Sequence, residues 1–108
     1  MTLEGKKAVS AARIGRIKAD ELRAACDPVP IPEKEAVMSY FRSVKWTGIA
    51  SGHLIDMLTG EDSGLENAMY IDDKFFWYSD EMYYFDKYNF RLTPEFVEHA
   101  VKRMEEKR

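Results

Sequence analysis

The sequence predicts a single α+β domain, in which a small antiparallel sheet of about three to four short strands packs against about four helices. Three observations predict it. The chain has 108 residues, enough for one core but not for two. Apolar side chains recur at helical spacing within 33–44, 79–88 and 93–104. Between the first two of these stretches, residues 46–78 hold short aromatic and β-branched runs separated by polar turns. Strands in sequence, flanked by helices, favour a layered α+β arrangement.

Residues 6–26 are rich in Ala, Lys and Arg and read as one helix or two short ones. Val9, Ile14, Ile17 and Leu22 make no clean stripe there, and Gly15 interrupts them, so loose docking is expected. Pro28, Pro30 and Pro32 then break any helix. Residues 1–30 thus read as a basic helical segment with a Pro-rich linker, and residues 31–108 as the α+β core. Pro32 suits a first helical position, and Val37, Tyr40, Phe41 and Val44 follow the i, i+3, i+4, i+7 rule. Trp46–Ala50 and Leu54–Leu58 read as two strands split by Ser51 and Gly52, followed by the polar turn 59–64. Ala68–Ile71 and Phe75–Tyr78 flank Asp72-Asp73-Lys74 and predict a hairpin. Ser79 is a good N-cap for a helix whose inner side is Met82, Tyr84, Phe85 and Tyr88, with Tyr83 on the other side. Thr93 and Pro94 open the last helix, with Phe96, Val97, Ala100, Val101 and Met104 inward.

Composition excludes several classes. Apolar residues make up 45% and charged residues 32%, the balance of a globular chain. Cys26 is the only cysteine, so there is no internal disulfide and no zinc ligand set. No apolar run approaches the roughly 20 residues of a membrane span. The start, Met1-Thr2-Leu3-Glu4-Gly5, lacks a signal-peptide core, so a cytoplasmic protein is expected. No cofactor is expected.

Charge is uneven. Residues 1–26 hold six basic and three acidic side chains, a balance of +3. From Asp56 to Asp86 there are nine acids against Lys74 alone, a balance of −8. Such a field attracts a basic protein and repels nucleic acid. Asp72, Asp73, Asp80, Glu81 and Asp86, with Glu61 and Asp62, are therefore the expected contacts for a basic partner. Tyr83 and Tyr78 are the expected anchors, since a tyrosine beside carboxylates offers both apolar area and a hydroxyl.

Enzymatic signals are weak. His53 and Asp56 lie three apart, a spacing that suits a proton-transfer pair or two metal ligands. A catalytic site also needs a nucleophile and an oxyanion donor, and neither is evident. Asp72-Asp73 with Asp80-Glu81 lacks EF-hand spacing. His99 reads as a solvated residue beside Glu98 and Lys102, and Cys26 as a small buried side chain. No catalytic residue and no metal site is assigned.

The run Asp72-Asp73-Lys74-Phe75-Phe76-Trp77, then Tyr83-Tyr84, Lys87-Tyr88, Leu92 and Pro94-Glu95-Phe96-Val97, resembles a pattern in small bacterial immunity-type proteins. There an Asp-Gly turn leads to an aromatic-x-Trp strand, a Tyr-Tyr helix and a Leu-Pro-x-x-Phe helix start. The upstream Asp56-Met57-Leu58-Thr59-Gly60 matches the Asp-x-x-Thr-Gly that commonly precedes it. The resemblance spans about residues 33–101 and implies a toxin-neutralising partner role. Asp73 departs from the usual glycine, and Ile71 from the usual threonine. Together these readings give an inhibitor that occludes a basic protein, such as a nuclease toxin or another nucleic-acid-binding protein. The alternatives are a module that self-associates through its basic first segment and a small enzyme using His53 and Asp56.

Overall fold

A computed structural model describes residues 5–107. The fold is α+β. In chain order it comprises β1 (Lys7–Ala8), a single 3₁₀ turn (Ile14–Arg16), α1 (Ala19–Ala24), α2 (Lys34–Ser43), β2 (Gly48–Ile55), β3 (Asp62–Ile71), β4 (Phe75–Tyr78), α3 (Ser79–Tyr88) and α4 (Pro94–Glu106). The four strands form one sheet in the order β1-β4-β3-β2. β2, β3 and β4 are antiparallel neighbours, while β1 lies parallel to β4 with Lys7 opposite Phe75. Among the described residues no helix is long and apolar enough to cross a membrane.

The main core lies between the sheet and α2 and α4. The stripe predicted on α2 is buried at Val37, Tyr40 and Phe41, and that on α4 at Phe96 and Ala100. Trp77 on β4 is wholly buried at the centre, with ring centroids of Phe41, Phe96 and Tyr70 at 5.4, 5.5 and 5.9 Å. Thr93 caps α4 as its sequence predicts, accepting a hydrogen bond from the Phe96 N–H at 3.3 Å. A second, smaller core forms on α3, where Tyr84 and Phe90 meet Ile14, Leu22 and Leu58.

The N-terminal segment differs from its predicted helical form. It contributes a two-residue strand, a 3₁₀ turn and a six-residue helix. Helix propensity is a weak prior, and here tertiary pairing overrides it. Val9 sits in the main core, Ile14 and Leu22 in the second, and the Thr93 N–H donates to the Val9 carbonyl at 2.8 Å. The segment is thus packed into the domain rather than loosely docked, and β1 makes the sheet mixed rather than purely antiparallel.

β2 and β3 are also longer than predicted. A single β2 replaces the two strands expected at Trp46–Ala50 and Leu54–Leu58, and β3 begins at Asp62 rather than Ala68. Gly52 has φ +94°, and the β2–β3 register shifts on both sides of His53. These bulges bend the hairpin without ending it. Of β3, only Met69–Ile71 pair with β4, so beyond that point the hairpin is a two-stranded arm. Its two flanks are largely exposed, so burial imposes no alternation on its sequence.

Trp77→Ala should lower stability by about 3–5 kcal/mol in equilibrium urea unfolding, because it empties the centre of the main core.

Candidate functional site

Asp56 closes the arm. It follows β2 and is fully buried. Its Oδ1 accepts from the N–H groups of Leu58 and Thr59 at 2.8 and 3.2 Å, a side-chain-capped turn. Its Oδ2 accepts from the hydroxyls of Tyr83 and Tyr88 at 2.6 and 2.7 Å. Lys87 Nζ stands 3.8 Å away and donates to the Tyr83 hydroxyl at 3.1 Å. The Met57 N–H donates to the Tyr84 hydroxyl at 2.7 Å. The arm therefore curls back so that its tip docks on α3. Burial alone would raise the Asp56 pKa, but the two tyrosines and two amides override it and hold the carboxyl at about 2. The same bond pushes Tyr88 up to about 12.

Asp72 makes a similar fastening at the β3–β4 turn. Its Oδ1 accepts from the N–H groups of Lys74 and Phe75 at 2.7 and 2.6 Å. Its Oδ2 accepts from the Tyr40 hydroxyl on α2, and His99 Nε2 on α4 lies 2.9 Å from the same oxygen. Burial raises the Asp72 pKa, yet these bonds bring it below the usual carboxylate range. The expectation of a solvated His99 is thereby corrected: its side chain is nine-tenths buried, wedged between α2 and the turn. Asp72, Asp73 and His99 bring ligand-type atoms within 4.8 Å of one another. Asp72 is engaged by Tyr40, the turn amides and His99, and Asp73 by Arg103, so these bonds clamp the turn to α2 and α4.

The remaining acids are largely used within the molecule. Asp73 accepts from Arg103 Nη2 at 2.6 Å. Asp80 pairs with Arg13 at 3.3 Å, and burial raises its pKa despite that arginine. Glu81, only 3% exposed, accepts from the Ser10 hydroxyl and the Tyr78 N–H at 2.6 and 3.0 Å. Asp86 is exposed, with Lys34 Nζ 4.0 Å from its carboxylate. Asp62 lies 2.9 Å from His53 Nδ1 on the arm. Glu61 and Glu66 are exposed and make no ion pair among the described residues. The nine carboxylates from Asp56 to Asp86 thus do not form one open surface. The expected tyrosine anchors are also engaged: Tyr83 holds Asp56, and Tyr78 is half-buried with the Arg13 guanidinium 3.7 Å above its ring. His53 and Asp56 do not come together, because each has other partners.

Sequence reasoning missed where apolar surface stays exposed. Ile49, Ile55, Met57 and Leu65 lie on or at the tip of the β2–β3 arm and are 45, 52, 38 and 44% exposed, and Trp46 at its root is 57% exposed. Val29 in the Pro-rich linker is the one other large exposed hydrophobic among the described residues. Residues 46–73 contain no lysine or arginine. That absence was the available signal; the exposure itself follows from the arm projecting past β4. A separate groove of about 770 Å³ runs between the linker and α4, floored by Ile31, Phe85, Leu92, Val97 and Val101. Its rim is of mixed charge, and Asp27 there is paired with Arg91 at 3.1 Å.

No family model, curated protein or solved structure matches this chain.

Asp56→Ala should destabilise the fold by about 3 kcal/mol, since it leaves two hydroxyls and two amides without their acceptor. The native carboxyl also makes stability pH-dependent. Its contribution is complete above the unfolded value of 3.8 and is lost as pH falls through about 2. Urea unfolding midpoints of Asp56→Asn should accordingly lose part of their acid dependence in that window.

Proposed function

We propose that the protein is an immunity-type inhibitor that binds a basic protein partner through the exposed β2–β3 arm and acts by occlusion. One observation carries this reading: four of the six large hydrophobics exposed among the described residues lie on the arm or its tip, a fifth stands at its root, and residues 46–73 contain no lysine or arginine, while Lys87 beside the tip is engaged by Tyr83 and Asp56. Apolar side chains desolvated at the centre of a contact supply most of its affinity. Glu61, Asp62 and Glu66 around them supply the charge that accelerates encounter with a cationic surface. Nucleic acid is disfavoured at such a face by its phosphates. The resemblance to immunity-type proteins supports the same reading, with a nuclease toxin or another nucleic-acid-binding protein as the partner. A cytoplasmic setting is part of the proposal.

The candidate contacts thereby move. Glu61 and Asp62 remain in the proposed interface. Asp72, Asp80, Glu81 and Tyr83 act as internal fasteners, and Asp73 and Asp86 lie outside the arm, as does the half-buried Tyr78.

Self-association is the competing reading, favoured by one observation: β2 is an open edge of the sheet. Arg16, Lys18 and Arg23 are exposed and would offer the complementary charge. Light scattering separates the two, since a monomer removes the second.

The test compares tagged wild type with Ile55→Lys/Leu65→Lys on the arm and Val97→Arg in the groove, each challenged with lysate of the native cell. The proposal expects basic proteins identified by mass spectrometry to be retained by wild type and by the groove variant. The arm variant should bind them at least about tenfold more weakly, a loss of roughly 1.4 kcal/mol or more. Retention should also fall as salt rises. Salt-independent capture that the arm variant preserves would sink the proposal.

A further inference from the structure

Where the N-terminal segment crosses the start of α3, two neighbouring carboxylates are covered by one short stretch of chain. Val9, Ser10 and Arg13 form this strap. Val9 is wholly buried, Ser10 is buried, and Arg13 lies across the Tyr78 ring with Asp80 beneath it. Among the described residues Glu81 makes no ion pair. The charged groups facing it are Asp80 from its own helix, which repels its ionised form, and Arg13 from the strap, whose ion pair is with Asp80. β4 contributes only the Tyr78 N–H.

The hydrogen-bond count around Ser10 indicates which form of Glu81 fits. The Ser10 hydroxyl has one proton but two acceptors in reach, Glu81 Oε2 at 2.6 Å and the Ala12 carbonyl at 2.9 Å. With Glu81 ionised, one of the two goes without. With Glu81 protonated, its O–H donates to Ser10 Oγ, and the serine proton is free for Ala12. The Ser10 hydroxyl, the Ala12 carbonyl and both Glu81 oxygens then have partners, Glu81 adds no buried charge, and the one buried polar atom left unmet at the strap among the described residues is Asp80 Oδ1.

We propose that Glu81 is a protonated latch: the strap of residues 9–13 docks most tightly when this carboxyl carries its proton, and loosens as pH rises toward neutrality. The direction follows from linkage. Burial raises the Glu81 pKa in the docked state from 4.5 to about 7, with Asp80 adding to the rise and Ser10, Tyr78 and Arg13 only partly offsetting it. An acid whose docked value is raised favours docking fully below its ordinary value. That advantage declines between 4.5 and about 7 and is gone above it. Asp80, raised by burial, acts in the same sense. Loosening the strap exposes Tyr78, Asp80 and Glu81, which adds two carboxylates and an aromatic ring to the acidic surface.

The test is hydrogen exchange, corrected for the intrinsic rate, followed from about pH 5 to about pH 8. Two amides report the strap: Thr93, which donates to Val9, and Lys7, which donates to Lys74. Their protection should fall at least about tenfold across that range, with a ceiling of about 70-fold there set by the shift from 4.5 to about 7. The amides of Phe41 in α2 and Ala100 in α4 should hold steady. Glu81→Gln, which keeps an acceptor for Tyr78 but cannot ionise, should flatten the profile. His53→Gln, which removes the titrating arm histidine, should leave it intact. A flat wild-type profile, an equal fall in Glu81→Gln, or an equal fall at Phe41 and Ala100 would each overturn the proposal. Carbon-13 titration of the Glu81 carboxyl in the wild-type protein gives a reading independent of any variant. A midpoint above about 6 supports the latch, and one at or below about 6 refutes it.

Discussion

A carboxylate removed from water must be met by donors, and this chain answers that constraint repeatedly. Asp56 draws two tyrosine hydroxyls and two amides, and so binds the tip of the β2–β3 arm to α3. Asp72 draws Tyr40, two turn amides and His99, and so joins the β3–β4 turn to α2 and α4. Asp80 and Glu81 fasten the N-terminal strap to the start of α3. Each fastening spans elements far apart in sequence, which gives the small domain a set of polar joints at the margins of a core centred on Trp77. Hydrogen bonds to a charged acceptor are stronger than neutral ones, and their orphaned donors are costly to leave behind.

That internal use of charge changes what the acidic composition means. Nine acids against one lysine between Asp56 and Asp86 describe a sequence interval, not a surface. Folding withdraws most of them into turns, caps and ion pairs. The acids at the arm are Glu61, Asp62 and Glu66, and there they border exposed Ile55 and Leu65. Charge beside desolvatable apolar area is the chemistry of a protein contact, whereas charge alone is that of a solvated face. The arm can present both because β4 stops at Tyr78, leaving the outer part of β3 paired with β2 alone.

The Asp-x-x-Thr-Gly and Tyr-Tyr motifs of the sequence acquire a physical meaning from these joints. Asp56, Thr59 and Gly60 build the arm's turn, and Tyr83, Tyr84 and Tyr88 on α3 receive it. Two motifs some 25 residues apart in the sequence are thus halves of one contact. Asp72, at the head of the next motif, is likewise a turn builder. Its side chain caps the Lys74 and Phe75 amides, so the turn closes without a glycine.

The sequence by itself determined the helices α2, α3 and α4, the β3–β4 hairpin and most of the aromatic core. Those features are written in local periodicity, caps and turn chemistry, which neighbouring residues are sufficient to specify. It did not determine that Lys7 and Ala8 would pair with β4, that His99 would sit nine-tenths buried against Asp72, or that Glu81 would lie beneath Ser10. Nor did it show which acids stay in water. Partners 27 to 71 residues apart make those contacts, and only the closed chain brings them within reach. Burial decides whether a carboxylate is a fastener or part of a surface, and burial is a property of the packed molecule.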